Sequence, residues 1–168
     1  MGSLRELSPP ELLAEHHDLS GFHSGEFAVD DWLVRRARAN QVSGATRTYV
    51  VCHDNRVVGY YALASGVVAV DAAPGRFRRN MPNPIPVVVL ARMAIAEDWQ
   101  GQGLGRGLFR DAAQRVARAA DVIGIRGILV HALTEAATEF YIALGFTPSP
   151  QDPMTLLVTL TDIRAALG

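Results

Sequence analysis

Four glycines occupy alternate positions in the segment WQGQGLGRGLF, which covers residues 99–109. The segment leads into RDAAQRVARAA, a sequence that strongly favours a helix. Each glycine inside a helix costs about 1 kcal/mol relative to alanine, so helix stability does not explain these residues. At the start of a helix, however, glycine lets an anion approach N–H groups that have no partner within the helix, and the helix dipole attracts negative charge there. The segment therefore predicts a site for a phosphate-bearing ligand.

Two common phosphate-binding motifs do not fit this segment. A P-loop has Lys followed by Ser or Thr after its last glycine, but Arg106 and Gly107 stand at those positions. The Rossmann fingerprint requires glycine at the position of Arg106, and it usually follows the first strand of its domain. The pattern that fits is Gln100-x-x-Gly103-x-Gly105, directly after the apolar stretch VVVLARMAI.

Tyr141 and His131 are further side chains that could exchange protons. By its spacing alone, Tyr141 in EFYIALGF fits an amphipathic core position beside Phe140 and Phe146. His131 lies within the apolar stretch GILVHAL and is expected to be a hydrogen-bonded core histidine rather than a base. No metal site is expected, because the five histidines do not fall at ligand spacings with cysteine or carboxylates.

The composition is that of a soluble globular protein. Of the 168 residues, 49% are hydrophobic and 20% are charged, and the length suits one domain. No apolar run reaches the length of about 18 residues that a membrane-spanning helix needs, and the start of the chain lacks the basic-then-apolar pattern of a signal peptide. The single cysteine, Cys52, excludes an internal disulfide framework and is expected to be a small buried residue. These features predict a cytoplasmic protein with no membrane contact.

Charge is distributed unevenly along the chain. Residues 32–92 carry nine arginines and two acidic residues, whereas residues 1–31 carry one arginine and seven acidic residues. All 16 basic residues are arginines. The planar guanidinium group suits phosphate, so the central segment suggests a polyanionic partner. Charge alone leaves a second interpretation equally open, in which these are solvated faces of a chain that favours arginine.

The elements that must position these residues follow from hydrophobic periodicity and turn signals. An amphipathic helix is predicted over residues 29–41, with Trp32, Ala37 and either Val34 or Leu33 inward and the arginines outward. The next patterns predict a hairpin over 46–70, a loop over 73–86, a strand over 87–95 and a helix ending near Ala120. A strand at GILVHAL, a helix at EAATEFYIAL and a strand at PMTLLVTL follow. Thr134 is expected to cap the helix at EAATEFYIAL, and Gly145 is expected to end it. This order predicts a mixed α/β domain with helices covering a sheet.

In this context the glycine segment resembles the pyrophosphate loop of the GNAT acetyltransferase superfamily. The context is the strand LARMAI before the loop, a helix after it, then the strand ILVHAL and the segment EFYIALGF. The resemblance implies one GNAT domain over residues 1–168, with a central mixed, mostly antiparallel sheet that splays at the cofactor site and helices on both faces. It also implies acetyl-CoA as co-substrate, with its pantetheine arm in the gap between the splayed strands.

The resemblance further implies a role for each matching residue. Backbone groups of three strand residues would pair with the pantetheine: Met93, Ala94 and Ile95. The pyrophosphate would be cradled by amides of the loop and first turn: Gln100, Gly101, Gln102, Gly103, Leu104, Gly105 and Arg106. Tyr141 would stand near the thioester sulfur and protonate the departing thiolate, which a phenol with a pKa near 10 can do for a thiol with a pKa near 8.5.

A closer resemblance, from about Leu19 to Leu167, is to the acetyltransferase toxins of bacterial type II toxin–antitoxin pairs. It is carried by DLSGFHSGEFAVDDWL, RARANQVSGATRTYVVC, VVGYYALASG, RRNMPNPIPVVVLARMAI and SPQDPMTLLVTL. The subgroup implies acetylation of the free α-amino group of aminoacyl-tRNA, which stops translation, together with a homodimer and a ribbon-helix-helix antitoxin. Six arginines then become candidates for contacting tRNA phosphates: Arg35, Arg36, Arg38, Arg76, Arg78 and Arg79.

Two other function classes stay open at this point. One is an N-acetyltransferase for a protein or a small-molecule amine, which would need no surface that tracks phosphates and would be insensitive to salt. The other is a module that binds acyl-CoA without turnover, against which an intact Tyr141 argues weakly.

Overall fold

The computed structural model describes residues 6–167. The ends of the predicted domain and part of the segment considered for a signal peptide, residues 1–5 and 168, lie outside the described residues. In chain order the elements are β1 Glu11–Leu12, α1 Phe27–Arg35, α2 Ala37–Ser43, β2 Arg47–His53, β3 Arg56–Val68, α3 Gly75–Arg78, β4 Ile85–Ile95, α4 Leu104–Ala119, β5 Gly127–His131, α5 Glu135–Ala143, β6 Thr147–Pro148, β7 Thr155–Thr159 and α6 Leu160–Leu167. Within residues 6–167, none of the helices combines the length and apolar character that crossing a bilayer requires.

The strands lie in the order β1-β2-β3-β4-β5-β7-β6. β4 and β5 are parallel, whereas the pairs β1–β2, β2–β3, β5–β7 and β6–β7 are antiparallel. The predicted α/β class with a mixed, mostly antiparallel sheet is confirmed. The parallel ladder joins Val88–Leu90 to Ile128–Val130 and ends at Leu90, although β4 continues to Ile95. β5 itself ends one residue after this ladder, at His131, so the rest of β4 extends beyond its parallel partner.

The backbone divides into two compact units. Within the described residues, unit 1 comprises residues 6–63 and Arg92–Ala112, and unit 2 comprises Ala64–Ala91 and residues 113–167. Strands β3 and β4 and helix α4 contribute residues to both units.

In unit 1, the segment predicted as one helix over residues 29–41 forms two helices. Arg36 separates α1 from α2, because its φ of −120° departs from helical values. Leu33 is buried, whereas Val34 is exposed, so Leu33 is the inward residue of the two alternatives. A periodic pattern shows which face is apolar but does not reveal a change of axis within it.

Helices cover both faces of the sheet in unit 1. On one face, Leu33 of α1 packs in a cluster with Tyr60 of β3 and Ala94 of β4. Successive residues of a strand point to opposite faces, so Gly59 faces the other side, where α4 lies. A Cβ on Gly59 would come within 3.2 Å of the Leu108 side chain, so glycine permits the close approach of α4. An isolated glycine inside a strand pattern is the signal that could have identified this position.

The predicted β2–β3 hairpin is confirmed. Its two turn residues, Asp54 and Asn55, have φ values of 49° and 66°, as a tight two-residue turn requires. Cys52 just before the turn is buried as expected, and burial together with the nearby Glu11 charge raises the pKa of its thiol to about 11. The thiol is therefore protonated and unreactive at neutral pH.

In unit 2, helix α5 begins and ends as the sequence predicts. The Thr134 hydroxyl accepts a hydrogen bond from the Ala137 N–H over 3.0 Å, and Gly145 follows the helix with a φ of 105°. The sequence patterns did not predict four short elements: β1, β6, α3 within the expected loop, and α6 directly after β7.

Candidate functional site

The glycine segment forms an exposed loop before α4, here called the anion loop and defined as residues 100–106. Gly101 and Gly103 have φ values of 76° and 85°, in the left-handed region that residues with side chains rarely adopt. Apart from the glycines themselves and their immediate chain neighbours, no atom of the described residues lies within 4 Å of where a Cβ would stand on either glycine. Between them, the Gln102 side-chain amide donates to the Asp98 carbonyl oxygen over 3.3 Å. Glycine is therefore needed for backbone conformation, and the space beside it is open.

The start of α4 leaves a row of N–H groups available. The Gly107 N–H donates to the Gly103 carbonyl oxygen over 3.1 Å, which makes Gly103 the last residue before the helix. The N–H groups of Leu104, Gly105 and Arg106 thus fall in the first turn, where a helix offers them no acceptor. This first turn, all of it described, contains no acidic side chain. The arrangement can bind a pyrophosphate.

Gln100 fixes the shape of the anion loop. Its side-chain amide donates to the carbonyl oxygens of Ser24 at 2.7 Å and Ile95 at 2.8 Å. Its own N–H donates to the Glu97 carbonyl oxygen over 3.2 Å. The structure therefore gives Gln100 a positioning role, because the N–H that was expected to face the pyrophosphate already has an acceptor.

Backbone groups at the end of β4 point to two different edges. The Ala96 N–H donates to the Val58 carbonyl oxygen of β3 over 2.8 Å. Because backbone groups of successive strand residues alternate in direction, those of Ala94 also face β3, and those of Met93 and Ile95 face away from it. Of the three residues expected to pair with pantetheine, Met93 and Ile95 are therefore suitably directed, but the Ile95 carbonyl oxygen already accepts from Gln100, which leaves its N–H.

Tyr141 of unit 2 is enclosed by Phe140 and Phe146, which together form what we call the Tyr141 pocket. The two ring centroids lie 5.2 and 5.3 Å from that of Tyr141, in edge-on arrangements. Burial raises the pKa of the phenol, so it is protonated at neutral pH. Within residues 6–167 its hydroxyl has no hydrogen-bond partner. The hydroxyls of Thr46 and Thr48 also lack partners there, but they are fully buried, whereas the Tyr141 hydroxyl is not. Core packing accounts for the burial of the Tyr141 ring, but it does not account for a hydroxyl without a partner, which favours a chemical role for that group.

The prediction that His131 is a core histidine is wrong. It is the last residue of β5, and its side chain is exposed. Its Nδ1 lies 2.9 Å from the Thr155 Oγ1, and the Thr155 hydroxyl donates to Asp152 Oδ2 over 2.9 Å. The three residues are here called the His131 relay. The apolar pattern did not indicate the exposure, because it does not show that the ladder with β4 ends one residue earlier, at Val130.

One of the six candidate arginines has a structural role. The Arg38 guanidinium donates to the carbonyl oxygens of Ala14, Glu15 and His17, which lie 21 to 24 residues away in sequence. It therefore anchors a turn of unit 1 through its Nη2, while its Nε is buried.

The other five candidate arginines differ in their partners. Arg35 pairs with Asp31 over 2.8 Å. Arg76 donates twice to Asp162, at 3.0 and 2.7 Å, and this contact raises the pKa of Arg76 and lowers that of Asp162. Three are exposed without a side-chain partner within residues 6–167: Arg36, Arg78 and Arg79.

A group of possible metal ligands in unit 1 is explained by hydrogen bonding. Glu11, His16 and His17 lie close enough together to share an ion, which their spacing did not suggest. However, His17 Nδ1 accepts from the Ala14 N–H at 2.9 Å, and its Nε2 lies 2.7 Å from Glu11 Oε1. Both ring nitrogens are in use, so a metal would have to displace a hydrogen bond.

A cavity of about 340 Å³ in unit 1 adjoins Trp99, the residue before the anion loop. Its walls carry Arg56 and His53 together with Glu97 and Asp98. These mixed charges do not favour a pyrophosphate, which the anion loop suits better because that loop contains no acidic side chain.

The chain is similar to known acetyltransferases. The Acetyltransferase (GNAT) domain model matches residues 44–148. A protein of Mycobacterium tuberculosis named tRNA-acetylating toxin is 51% identical over 161 residues, which cover 96% of this chain and 97% of the relative.

Two solved structures of AtaT are similar in fold and sequence. AtaT complexed with acetyl-methionyl-tRNAfMet matches with a TM-score of 0.89 and 30% identity, over 97% of this chain and 100% of that one. A Tyr-to-Phe mutant of the AtaT toxin, bound to the C-terminus of the antitoxin AtaR and acetyl-CoA, matches with a TM-score of 0.82 and 30% identity, over 95% and 97%.

Proposed function

This chain belongs to the GNAT acetyltransferase family, and from that premise we propose that it is a toxin that transfers the acetyl group of acetyl-CoA to the α-amino group of aminoacyl-tRNA and so blocks translation. The use of acetyl-CoA as the acetyl donor is supported by the row of free N–H groups at the start of α4, which follows two glycines of positive φ. The acceptor half is supported by the identity of 51% to the tRNA-acetylating toxin.

Acetyl-CoA binds along the end of β4 and the anion loop. The N–H groups of Leu104, Gly105 and Arg106 donate to the pyrophosphate, and the helix dipole adds to the attraction. The backbone groups of Met93 and the N–H of Ile95 pair with the amides of the pantetheine arm. The AtaT structure that holds acetyl-CoA supports this assignment of the donor.

The transfer forms one bond and breaks another. The amine nitrogen attacks the thioester carbon, the N–C bond forms, and the C–S bond breaks. The thiolate then takes the proton of the Tyr141 hydroxyl, which burial keeps protonated. Burial that disfavours a phenolate also disfavours a bare thiolate, so the same environment that retains the proton on Tyr141 makes the leaving group basic.

The exposed arginines without partners form the proposed tRNA contacts: Arg36, Arg78 and Arg79. Phosphate contacts of this kind supply affinity without reading sequence. Arg35 and Arg76 contribute less, because each is already paired with a carboxylate.

The proposed location, oligomeric state and antitoxin of this chain are those that the resemblance to the toxin subgroup implies. The chain is proposed to act in the cytoplasm as a homodimer, and to be neutralised by a ribbon-helix-helix antitoxin. The AtaT structure bound to the antitoxin AtaR supports an antitoxin partner.

The deciding experiment is acetyl transfer from labelled acetyl-CoA to a mixed pool of aminoacyl-tRNA. Label should reach the aminoacyl group, and uncharged tRNA in a parallel reaction should stay unlabelled. If a protein or free amine is labelled well while no aminoacyl-tRNA is labelled at any salt concentration, the chain is an acetyltransferase of another substrate class.

The tRNA surface is tested by Arg78→Glu and Arg79→Glu, singly and together. Removing an arginine that neutralises one phosphate should lower the slope of log affinity against log salt by about 0.9 and weaken binding, while acetyl-CoA affinity stays unchanged. Arg118→Glu is the matched control, because Arg118 is also exposed and has no side-chain partner within residues 6–167. Equal slopes for all variants would place the tRNA elsewhere.

A further inference from the structure

Acetylation of an amine releases a proton from the attacking nitrogen, and neither the anion loop nor Tyr141 accepts it. The N–H groups of the loop are donors, and the buried phenol of Tyr141 already carries a proton. Tyr141 becomes an acceptor only after it has protonated the thiolate, so an amine that loses its proton as the N–C bond forms needs a separate acceptor. The His131 relay of unit 2 has the hydrogen-bond pattern of such a group.

The relay fixes the tautomer of His131. Hydrogen bonds from the Met154 N–H and the Thr155 hydroxyl hold the pKa of Asp152 below its usual range, so Asp152 is a carboxylate that only accepts. The Thr155 hydroxyl has one hydrogen, and it is directed to Asp152 over 2.9 Å. Its oxygen must therefore accept from His131, whose Nδ1 at 2.9 Å is the donor. In the neutral ring, the lone pair is then on Nε2, which belongs to an exposed side chain.

The position of His131 in unit 2 suits a catalytic group. The parallel ladder between β4 and β5 ends at Val130, so His131 is the first residue beyond it. Polar groups at the carboxyl ends of parallel strands gather where ligands bind in α/β sheets. The chain then passes through a short turn into α5, which carries Tyr141.

We propose that His131 is the general base of acetyl transfer, accepting through Nε2 the proton that the acceptor amine loses. The inference rests on the acetyl transfer proposed above. As the N–C bond forms and the C–S bond breaks, the nitrogen's proton goes to Nε2, and the proton of Tyr141 goes to the thiolate. Exchange with water restores both side chains. Thr155 and Asp152 are positioning residues, which hold the ring with Nε2 unprotonated.

Asp152 is the charged group that the relay joins to His131 through Thr155. From β7 and the turn before it, the facing groups are the Thr155 hydroxyl and the Asp152 carboxylate. The acidic residues of α5, Glu135 and Glu139, are exposed, and its other titratable group is the buried Tyr141. Helix α6 meets β5 at the opposite end, where the Leu160 N–H bonds to residue 126.

The test compares His131→Gln and His131→Ala with the wild type. Either change should lower kcat/KM by roughly a hundredfold or more, because the base is lost. Acetyl-CoA affinity should not change, and the melting temperature should fall by no more than roughly 2–4 °C, because only the hydrogen bond to Thr155 is lost. Added imidazole should restore turnover to His131→Ala. The pH profile is measured with an acyl hydrazide as acceptor, because its nitrogen stays neutral at mildly acidic pH. The wild type should then show a decrease in kcat/KM as the pH is lowered, and His131→Gln should not.

Two further variants separate catalysis from structure. Thr155→Val breaks the relay and should shift the acidic fall in kcat/KM, an effect that mere packing would not produce. His16→Gln is the matched control, since His16 is an exposed histidine of unit 1, and it should leave the rate, pH profile and imidazole response unchanged.

The outcomes distinguish this inference from the proposed function. Any amine that the wild type acetylates can serve as acceptor, so a failure on aminoacyl-tRNA alone overturns the substrate assignment and not the role of His131. Full activity with an unchanged pH profile in His131→Gln overturns the base and leaves the transferase intact. A loss of rate that imidazole does not restore in His131→Ala also overturns it.

Discussion

The anion loop of unit 1 and the Tyr141 pocket of unit 2 are built in opposite ways. The anion loop presents backbone N–H groups, two glycines of positive φ and open space where side chains would stand. The Tyr141 pocket presents one hydroxyl on a ring that two phenylalanines enclose. The anion loop depends on the absence of side-chain atoms at its glycines. The Tyr141 pocket depends on the presence of one atom, the hydroxyl oxygen of Tyr141. Adding atoms should therefore damage the loop, whereas removing a single atom should damage the pocket.

Gly103→Val should have the largest effect, because it adds atoms to the loop. A left-handed conformation costs a residue with a side chain about 1–2 kcal/mol, and the two methyl groups would occupy the space in front of the N–H groups of α4. At a hundredfold excess of acetyl-CoA over its Kd, the wild type should gain about 2.7 kcal/mol in free energy of unfolding. The variant should gain none and should lose turnover, as thermal unfolding with and without acetyl-CoA will show.

Gly107→Ala is the control that sharpens this prediction. Gly107 lies in the first turn of α4 without a positive φ, and apart from its chain neighbours and the nearby backbone of α4, no described atom lies within 4 Å of its Cβ position. Alanine should stabilise the helix by up to about 1 kcal/mol and keep acetyl-CoA binding. If Gly103→Val binds acetyl-CoA as tightly as Gly107→Ala does, the anion loop is not the donor site.

Tyr141→Phe should come next, because it removes one atom from the pocket. Turnover should fall by roughly a hundredfold or more. The melting temperature and acetyl-CoA affinity should be kept, since the hydroxyl has no hydrogen bond to lose within residues 6–167. Steady-state kinetics and calorimetric binding measure the two quantities separately.

Tyr60→Phe should show the reverse pattern. The Tyr60 hydroxyl is buried and donates to the Val29 carbonyl oxygen over 2.6 Å. Its removal should cost about 1 kcal/mol of stability and leave turnover unchanged. Similar profiles for the two variants would mean that Tyr141 is a packing residue.

Thr134→Ala should have the smallest effect, because it alters only the start of the helix that carries Tyr141. Loss of the cap should cost about 1 kcal/mol, which lowers the melting temperature by roughly 2–4 °C for a chain of this size. Thr134→Ser keeps the hydroxyl and should behave as the wild type. A large loss of turnover in Thr134→Ala at low temperature would show that the Tyr141 pocket is less rigid than its aromatic contacts imply.

The same contrast explains what the sequence could predict. The anion loop was predictable because positive φ at glycine and free N–H groups at a helix start are local properties. Arg38 was not, because its carbonyl partners lie more than twenty residues away, and a charge count cannot distinguish an anchor from a free cation. His131 was misjudged because the end of a strand depends on its neighbour in the sheet, which an apolar run does not reveal.

The cationic surface of this protein is made of guanidinium groups alone, since every basic residue is an arginine. A guanidinium stays protonated at any pH the protein meets and is a poor nucleophile, whereas a lysine amine is an acceptor for acetyl-CoA. An enzyme of this composition can hold acetyl-CoA against its own positive surface without modifying its side-chain amines, because it has none. Any acetyl group found on a side chain of the enzyme after long incubation with acetyl-CoA would therefore be bonded to oxygen, sulfur or imidazole nitrogen. Amine-reactive labels would modify the acceptor but not the side chains of the enzyme.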